Sequence, residues 1–145
     1  IGPYGYCADI SRAWVCGDVW SREQVALYQL AREQVEFNME VIRPGMSFRE
    51  IAEKSWPIPD RFKKNRYGCL AHGVGLCDEY PSIPYREDLE EYGYDGVVEP
   101  GMVLAVESYI GEEGAMEGVK LEQMIHVTDT GWELLSHYPL EEFEV

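Results

Sequence analysis

The chain has 145 residues, and its 12 Lys or Arg against 27 Asp or Glu leave a formal net charge of −15 at neutral pH. Such a surface repels phosphate backbones and anionic headgroups, so a generic nucleic-acid or membrane-surface binder is excluded. With 46% hydrophobic residues the chain can bury a core; its length suits one domain or a large piece of one, and its longest apolar run, Met102 to Val106, is far too short to cross a bilayer.

The opening Ile1-Gly2-Pro3-Tyr4-Gly5 is neither a signal peptide nor a transit peptide and reads as a cut through a folded domain. Tyr6 to Val15 alternates loosely between apolar and polar residues between Gly5 and Gly17, which predicts a strand ending in a turn, with Asp9 inside it. Ser21-Arg22-Glu23-Gln24 is a capping box, and Val25, Tyr28, Ala31, Val35, Met39 and Ile42 recur at steps of three and four. Together they predict a helix that Pro44-Gly45 ends. A second box, Ser47-Phe48-Arg49-Glu50, predicts a shorter helix carrying Phe48, Ile51 and Ala52. Trp56-Pro57-Ile58-Pro59 then makes a stiff connection, and the basic stretch Arg61 to Arg66 reads as a solvated loop or helix end.

From Cys69 onward the texture changes to short strands and Gly/Pro turns, with an acidic, solvent-facing loop from Arg86 to Asp95. Met102 to Ile110 and Gly118 to Thr128 read as strands. The second places Val119, Leu121, Ile125 and Val127 on one face and Lys120, Glu122, Met124 and His126 on the other. Thr128 to Gly131 is a turn into Trp132-Glu133-Leu134-Leu135. The class is α+β, helices early and antiparallel strands late.

The four cysteines, Cys7, Cys16, Cys69 and Cys77, form no CxxC pair and have no His at finger spacing, so no structural zinc site is expected. Cys16 and Cys69 read as small buried hydrophobes, and the simplest setting is reducing and cytoplasmic.

Glu107 and Glu122 are the informative pair, two carboxylates inside otherwise apolar strands. A hairpin centred near Gly114 sets them directly opposite each other, where like charges destabilise the pairing unless something positive lies between them. Bridging metal ions would supply that charge; alternatively one Glu faces solvent or pairs with Lys120. His72, in the apolar Leu70-Ala71-His72-Gly73-Val74-Gly75-Leu76, reads alone as a hydrogen-bonded core residue, and with Asp9, Glu107 and Glu122 as part of an N/O ligand set suited to Fe, Mn, Co or Zn. Asp78 is a candidate general base or a turn residue before Glu79-Tyr80-Pro81. No Ser-His-Asp arrangement and no phosphate loop is visible.

The set Asp9, His72-Gly73-Val74-Gly75, Pro100-Gly101-Met102 with Glu107, and Gly118-Val119 with Glu122 resembles the creatinase, aminopeptidase P and methionine aminopeptidase superfamily with the pita-bread fold. The resemblance implies that residues 1–145 are the C-terminal part of a single pita-bread catalytic domain, with further aspartate ligands upstream. It also implies two divalent metal ions: Asp9 and Glu122 as bridging ligands, His72 and Glu107 on one ion.

Peptidases of the superfamily carry a substrate-contacting histidine where this chain has Glu79, which speaks against peptide hydrolysis. Gly2 to Arg12, with Tyr67 and His72 to Glu79, is similar to the superfamily's dimethylsulfoniopropionate lyases of the DddP type. That implies Asp78 as catalytic base, Tyr67 at the substrate, iron as the metal, a small zwitterionic substrate and a homodimer in the full-length parent, with this piece inactive alone. An aromatic face, Tyr67 or more remotely Trp56, is a candidate holder of the sulfonium. The rival readings are an Xaa-Pro metallopeptidase and a binding module that has lost catalysis.

Overall fold

The computed structural model describes residues 2–17 and 19–143; the expectation attached to Ile1 lies outside them. Two helices come first. Helix α1 spans Arg22–Val41 and α2 spans Phe48–Lys54. Both expected capping boxes are present: the Ser21 hydroxyl accepts from the Gln24 N–H and the Ser47 hydroxyl from the Glu50 N–H, with the Gln24 and Glu50 side chains reaching back. One stripe of α1, comprising Leu27, Tyr28, Ala31, Val35 and Met39, is buried. Trp56 belongs to the core, its indole N–H donating to Glu33 Oε1 at 3.1 Å.

The basic stretch winds into a 3₁₀ helix, Asp60–Asn65, whose cations are spent on local acids. Lys63 pairs with Asp60 and Glu87, Lys64 with Glu113, and Arg61 with Glu112. Five strands follow: β1 Ala71–Gly73, β2 Ser82–Ile83, β3 Val103–Gly111, β4 Gly118–Val127 and β5 Trp132–Leu134. They form one antiparallel sheet in the order β2-β1-β3-β4-β5. The acidic loop forms a short 3₁₀ turn, Arg86–Asp88, and helix α3, Leu89–Tyr92, because Leu89 finds a place in the core.

The long hairpin has the expected register, with Glu107 opposite Glu122, and Gly114 takes a positive φ of 79° in its connection. Pairing sorts side chains by face. Leu104, Val106, Ile110, Val119, Leu121, Ile125 and Val127 share the face that packs on α1 and are all buried. Ala105, Glu107, Lys120, Glu122 and Met124 share the other face, and β1 adds His72 there, opposite Ala105. The two carboxylates therefore project away from the helix.

One expected element is absent. Tyr6 to Val15 is not a strand. Strand β5 pairs only with Ile125 to Val127, which leaves the first part of the β4 edge for this segment. Among the described residues, only the Glu122 N–H, donating to the Ser11 carbonyl at 3.2 Å, and the Cys7 N–H, donating to the Gly75 carbonyl at 2.7 Å, bond it by backbone to β4 and the loop after β1. A ladder fails because the Asp9 N–H is turned to Met124 Sδ and the Arg12 guanidinium takes the Ser11 and Glu122 carbonyls. For the same reason Cys16, expected to be buried, is exposed, whereas Cys69, which precedes β1, is buried as expected.

The packing assigns unequal costs to two leucines. Leu121→Ala, which empties a fully buried site between sheet and α1, is expected to destabilise the fold by about 2–5 kcal/mol. Leu76→Ala, at an exposed loop position, is expected to change stability by less than about 0.5 kcal/mol. Denaturant melts of the two variants check both values.

Candidate metal centre

Each candidate residue arrives on a different element, and the sheet brings four of them together. Glu107 and Glu122, 0% and 1% exposed, sit side by side at the middle of the β3–β4 hairpin. His72 comes from β1, also fully buried, with Nε2 3.0 Å from Glu107 Oε1 and 3.6 Å from Glu122 Oε1. Asp9, on the segment beside β4, places Oδ2 3.9 Å from the same nitrogen. Asp78 and Glu79 lie in the loop after β1, with Asp78 Oδ1 3.9 Å from His72 Nδ1 and Glu79 Oε2 3.9 Å from Nε2. Gly73 permits this return of the chain, since a Cβ there would stand 2.1 Å from the Tyr80 carbonyl oxygen.

The polar atoms of the site are only partly satisfied. Ser11 Oγ donates to Glu122 Oε2 at 2.8 Å. His72 Nδ1 is 3.1 Å from the Gly73 carbonyl, the contact that would fix its proton on Nδ1 and leave the Nε2 lone pair facing the carboxylates. Although Nε2 is close to Glu107, it lies off the line a hydrogen bond needs, and Nε2 and Glu122 Oε1 are buried with no hydrogen-bond partner. A buried imidazole nitrogen and a buried carboxylate oxygen left unpaired and aimed at one point fit a divalent cation. Ligand atoms of Asp9, His72 and Glu122 lie within 4.8 Å of one another, as do those of Cys69, Glu79 and Glu107, and of Asp9, Asp78 and Glu79.

Lys120 offsets part of the negative charge of the site. Its ammonium pairs with Glu107 Oε2, lies 3.8 Å from Glu122 Oε2, and rests 3.8 Å from the centre of the Tyr67 ring. Both sequence readings of the glutamates thus meet here: they are buried neighbours around a possible metal position, and one of them pairs with Lys120. The Tyr67 ring stands at the site with one face already covered by a cation.

The surroundings shift the protonation of several groups. Burial opposes charge on His72, but contacts with Glu107 and Glu122 outweigh it and raise its pKa from 6.5 to about 11. Burial, followed by the charge of Glu122, raises the Asp9 carboxyl. Burial beside Glu107 pushes the Cys69 thiol up to about 12.

Sequence reading missed two contributors and the backbone of a third residue. Ser11 holds one oxygen of Glu122. Arg12 places all five of its N–H groups, on the carbonyls of Ser11, Glu122, Tyr138 and Pro139 and on Gln123 Oε1. Glu79 has a left-handed backbone, φ 66°, which no sequence pattern around it announces. The signal for Arg12 was its place three residues after Asp9, between a serine and Ala13-Trp14, in a chain poor in cations.

The profile of Metallopeptidase family M24 matches residues 2–129. The chain belongs to that family. Among curated M24-like relatives, the dimethylsulfoniopropionate lyases DddP of Roseovarius nubinhibens and Roseobacter denitrificans are 43% and 41% identical over 97% of this chain. A putative dipeptidase of Bacillus subtilis, YkvY, is 30% identical over 93% of it. The chain spans about a third of these relatives, 32% of the lyases and 36% of the dipeptidase.

Among solved structures, the Xaa-Pro dipeptidase of Bacillus anthracis and the prolidase of Pyrococcus furiosus superpose with TM-scores of 0.73 and 0.72 at 29% and 27% identity. Each covers 94% of this chain, which covers 37% and 39% of theirs. The architecture is that of the pita-bread fold, α+β as expected, and the family association supports divalent-metal chemistry. No helix among the described residues is long and apolar enough to cross a membrane.

Protonation and metal uptake are linked with a definite sign. Because His72 is raised in the folded state, its contribution to the stability of the metal-free protein is whole below pH 6.5 and is lost as pH rises toward about 11. Metal entering at Nε2 must displace that proton, so affinity rises with pH and uptake releases protons. Titration of metal-free protein with Mn²⁺ in two buffers of different ionisation enthalpy is expected to show proton release that His72→Gln abolishes. Equal heats in both buffers would contradict the assignment.

Proposed function

We propose that the protein carrying this chain is a metal-dependent lyase that cleaves dimethylsulfoniopropionate to dimethyl sulfide and acrylate. The observation that carries the reading is the identity of 43% and 41% to two named lyases along almost the whole chain, against 30% to a dipeptidase. In this reading Asp9, His72, Glu107 and Glu122 hold two divalent ions, iron first and Mn, Co or Zn as alternatives, together with ligands supplied from outside residues 1–145. When bound, the metal would stabilise negative charge developing on the substrate carboxylate.

The remaining chemistry falls to this chain's side chains. Asp78 stands beside His72 on a loop and is 39% exposed, so its carboxylate can meet a ligand entering from solvent. It takes the proton from the carbon α to the substrate carboxylate. The C–H electron pair becomes the new carbon–carbon double bond, the bond from the β carbon to sulfur breaks, and its electrons leave with neutral dimethyl sulfide. Tyr67 stands at the substrate in this reading, with one ring face covered by the Lys120 ammonium. Lys120 itself adds positive charge next to the place where the carboxylate would bind.

Residues 1–145 form the C-terminal part of the catalytic domain in this reading, inactive alone because part of the ligand set lies elsewhere. The whole protein works as a homodimer on a small zwitterion. A cytoplasmic setting accords with the four cysteines being free. The second reading, an Xaa-Pro metallopeptidase, is favoured by the likeness to the dipeptidase and prolidase structures; it requires another residue to do the work of the histidine replaced by Glu79.

Headspace detection of dimethyl sulfide over the metal-loaded whole protein that carries this chain separates the readings. Wild type is expected to release it, Asp78→Asn to lose at least about a hundredfold in rate, and an Xaa-Pro dipeptide to remain uncleaved. Cleavage of the dipeptide without dimethyl sulfide would establish the peptidase.

A further inference from the structure

In a chain with 27 Asp or Glu, the five N–H groups of Arg12 all go to neutral oxygens. Nη1 donates to the Ser11 carbonyl at 2.9 Å and to the Glu122 carbonyl at 2.6 Å. Nη2 donates to Gln123 Oε1 at 2.6 Å and to the Tyr138 carbonyl, and Nε to the Pro139 carbonyl at 3.1 Å. The acceptor on Gln123 is itself held in place. It also accepts from Ser136 Oγ at 2.6 Å, and that hydroxyl accepts from the Met124 N–H at 2.9 Å, both side chains being buried. A guanidinium used in this way fixes distances between backbones and neutralises no charge.

The distance it fixes is that between the segment bearing Asp9 and strand β4. Asp9, His72 and Glu122 offer ligand atoms within 4.8 Å of one another. The ladders of β1, β3 and β4 set His72 and Glu122. Asp9 has no ladder, and its N–H is on Met124 Sδ, a weak acceptor. The Ser11 carbonyl takes the Glu122 N–H at 3.2 Å, while Arg12 Nη1 joins the Ser11 and Glu122 carbonyls to each other. Slippage of the segment by one residue along β4, about 3.3 Å, would undo this closed set of bonds. Ser11, two residues after Asp9, also gives its hydroxyl to Glu122 Oε2 at 2.8 Å, which leaves Oε1 as the oxygen without a partner.

We infer that Arg12 is the positioning residue of the metal centre: by joining the Ser11 and Glu122 carbonyls it sets where the Asp9 carboxylate meets His72 and Glu122. The inference rests on the metal-holding part of the proposed function and is independent of the substrate. Its sign is opposite to that of charge. A positive group beside a cation site repels the ion, so on electrostatic grounds alone its removal tightens binding. Removal of a positioning fork loosens it. Lysine keeps the charge but lacks the planar fork that spans the two carbonyls.

Titration of the metal-free whole protein that carries this chain with Mn²⁺, followed by the electron paramagnetic resonance signal of the free ion, tests it. Arg12→Lys and Arg12→Gln are each expected to weaken binding by about ten- to a hundredfold. In an Asp9→Asn background, itself weaker, the same changes are expected to cost less than about a further twofold, because the group that Arg12 places is already gone. A merely structural role predicts losses that multiply. Unchanged affinity in Arg12→Lys, tighter binding in Arg12→Gln, or multiplying losses overturns the inference. Should the arginine variants fail to melt cooperatively, Gln123→Met, which removes one acceptor and no charge, is judged by the same criterion: a loss that Asp9→Asn abolishes supports the inference, and any other result overturns it. Wild type that takes up no Mn²⁺ removes the metal reading and this inference with it. Absence of dimethyl sulfide release with the coupling between Arg12 and Asp9 intact removes the lyase reading and leaves Arg12 in its role.

Discussion

Two carboxylates buried side by side govern this structure. Cross-strand neighbours stand roughly 5 Å apart, and at an effective dielectric of about 20 their repulsion is on the order of 3 kcal/mol, to which desolvation adds several more. A hairpin cannot carry that load unaided. Four neighbours of Glu107 and Glu122 answer it: an imidazole from β1, an ammonium from the next turn of the pleat, a hydroxyl from Ser11 and a protonated thiol at Cys69. Lys120 and His72 make the pair tolerable without metal, so a divalent ion enters by exchange with charges already present.

The scaffold for this arrangement is the opposite face of the same strands. Alternation sends Leu104, Val106, Leu121 and Ile125 onto α1, and their burial fixes the register that aligns the glutamates. A slip of one residue would bury the carboxylates against the helix and turn the aliphatic row outward. Core packing and site geometry are therefore a single specification, written on alternate residues of two strands.

Legibility in the sequence followed the range of the interactions. The capping boxes at Ser21 and Ser47 and the hairpin register depend on residues close in the chain, and both emerged as read. Tyr6 to Val15 did not, because pairing of an alternating segment depends on a free edge and on rival partners for its amides, here Met124 Sδ and the Arg12 guanidinium. Cys16 went with it. The cluster Asp9, His72, Glu107 and Glu122 was recognisable as a set of residue types, but the place of Lys120 over Tyr67 and the inward reach of Glu79 are tertiary facts. Nothing local in Cys77-Asp78-Glu79-Tyr80 encodes them.

Four of the five hydrogen bonds of Arg12 join parts of the chain that are far apart in sequence: its contacts with Glu122, Tyr138 and Pro139 span 110, 126 and 127 residues. Loop-closure entropy makes such contacts the last to form. The segment bearing Asp9 thus settles only after the sheet is complete and the chain beyond β5 has come back across it. The stretch beyond β5 acts as a latch on the segment bearing Asp9, and a nick between β5 and Pro139 would release an aspartate that lies more than a hundred residues upstream.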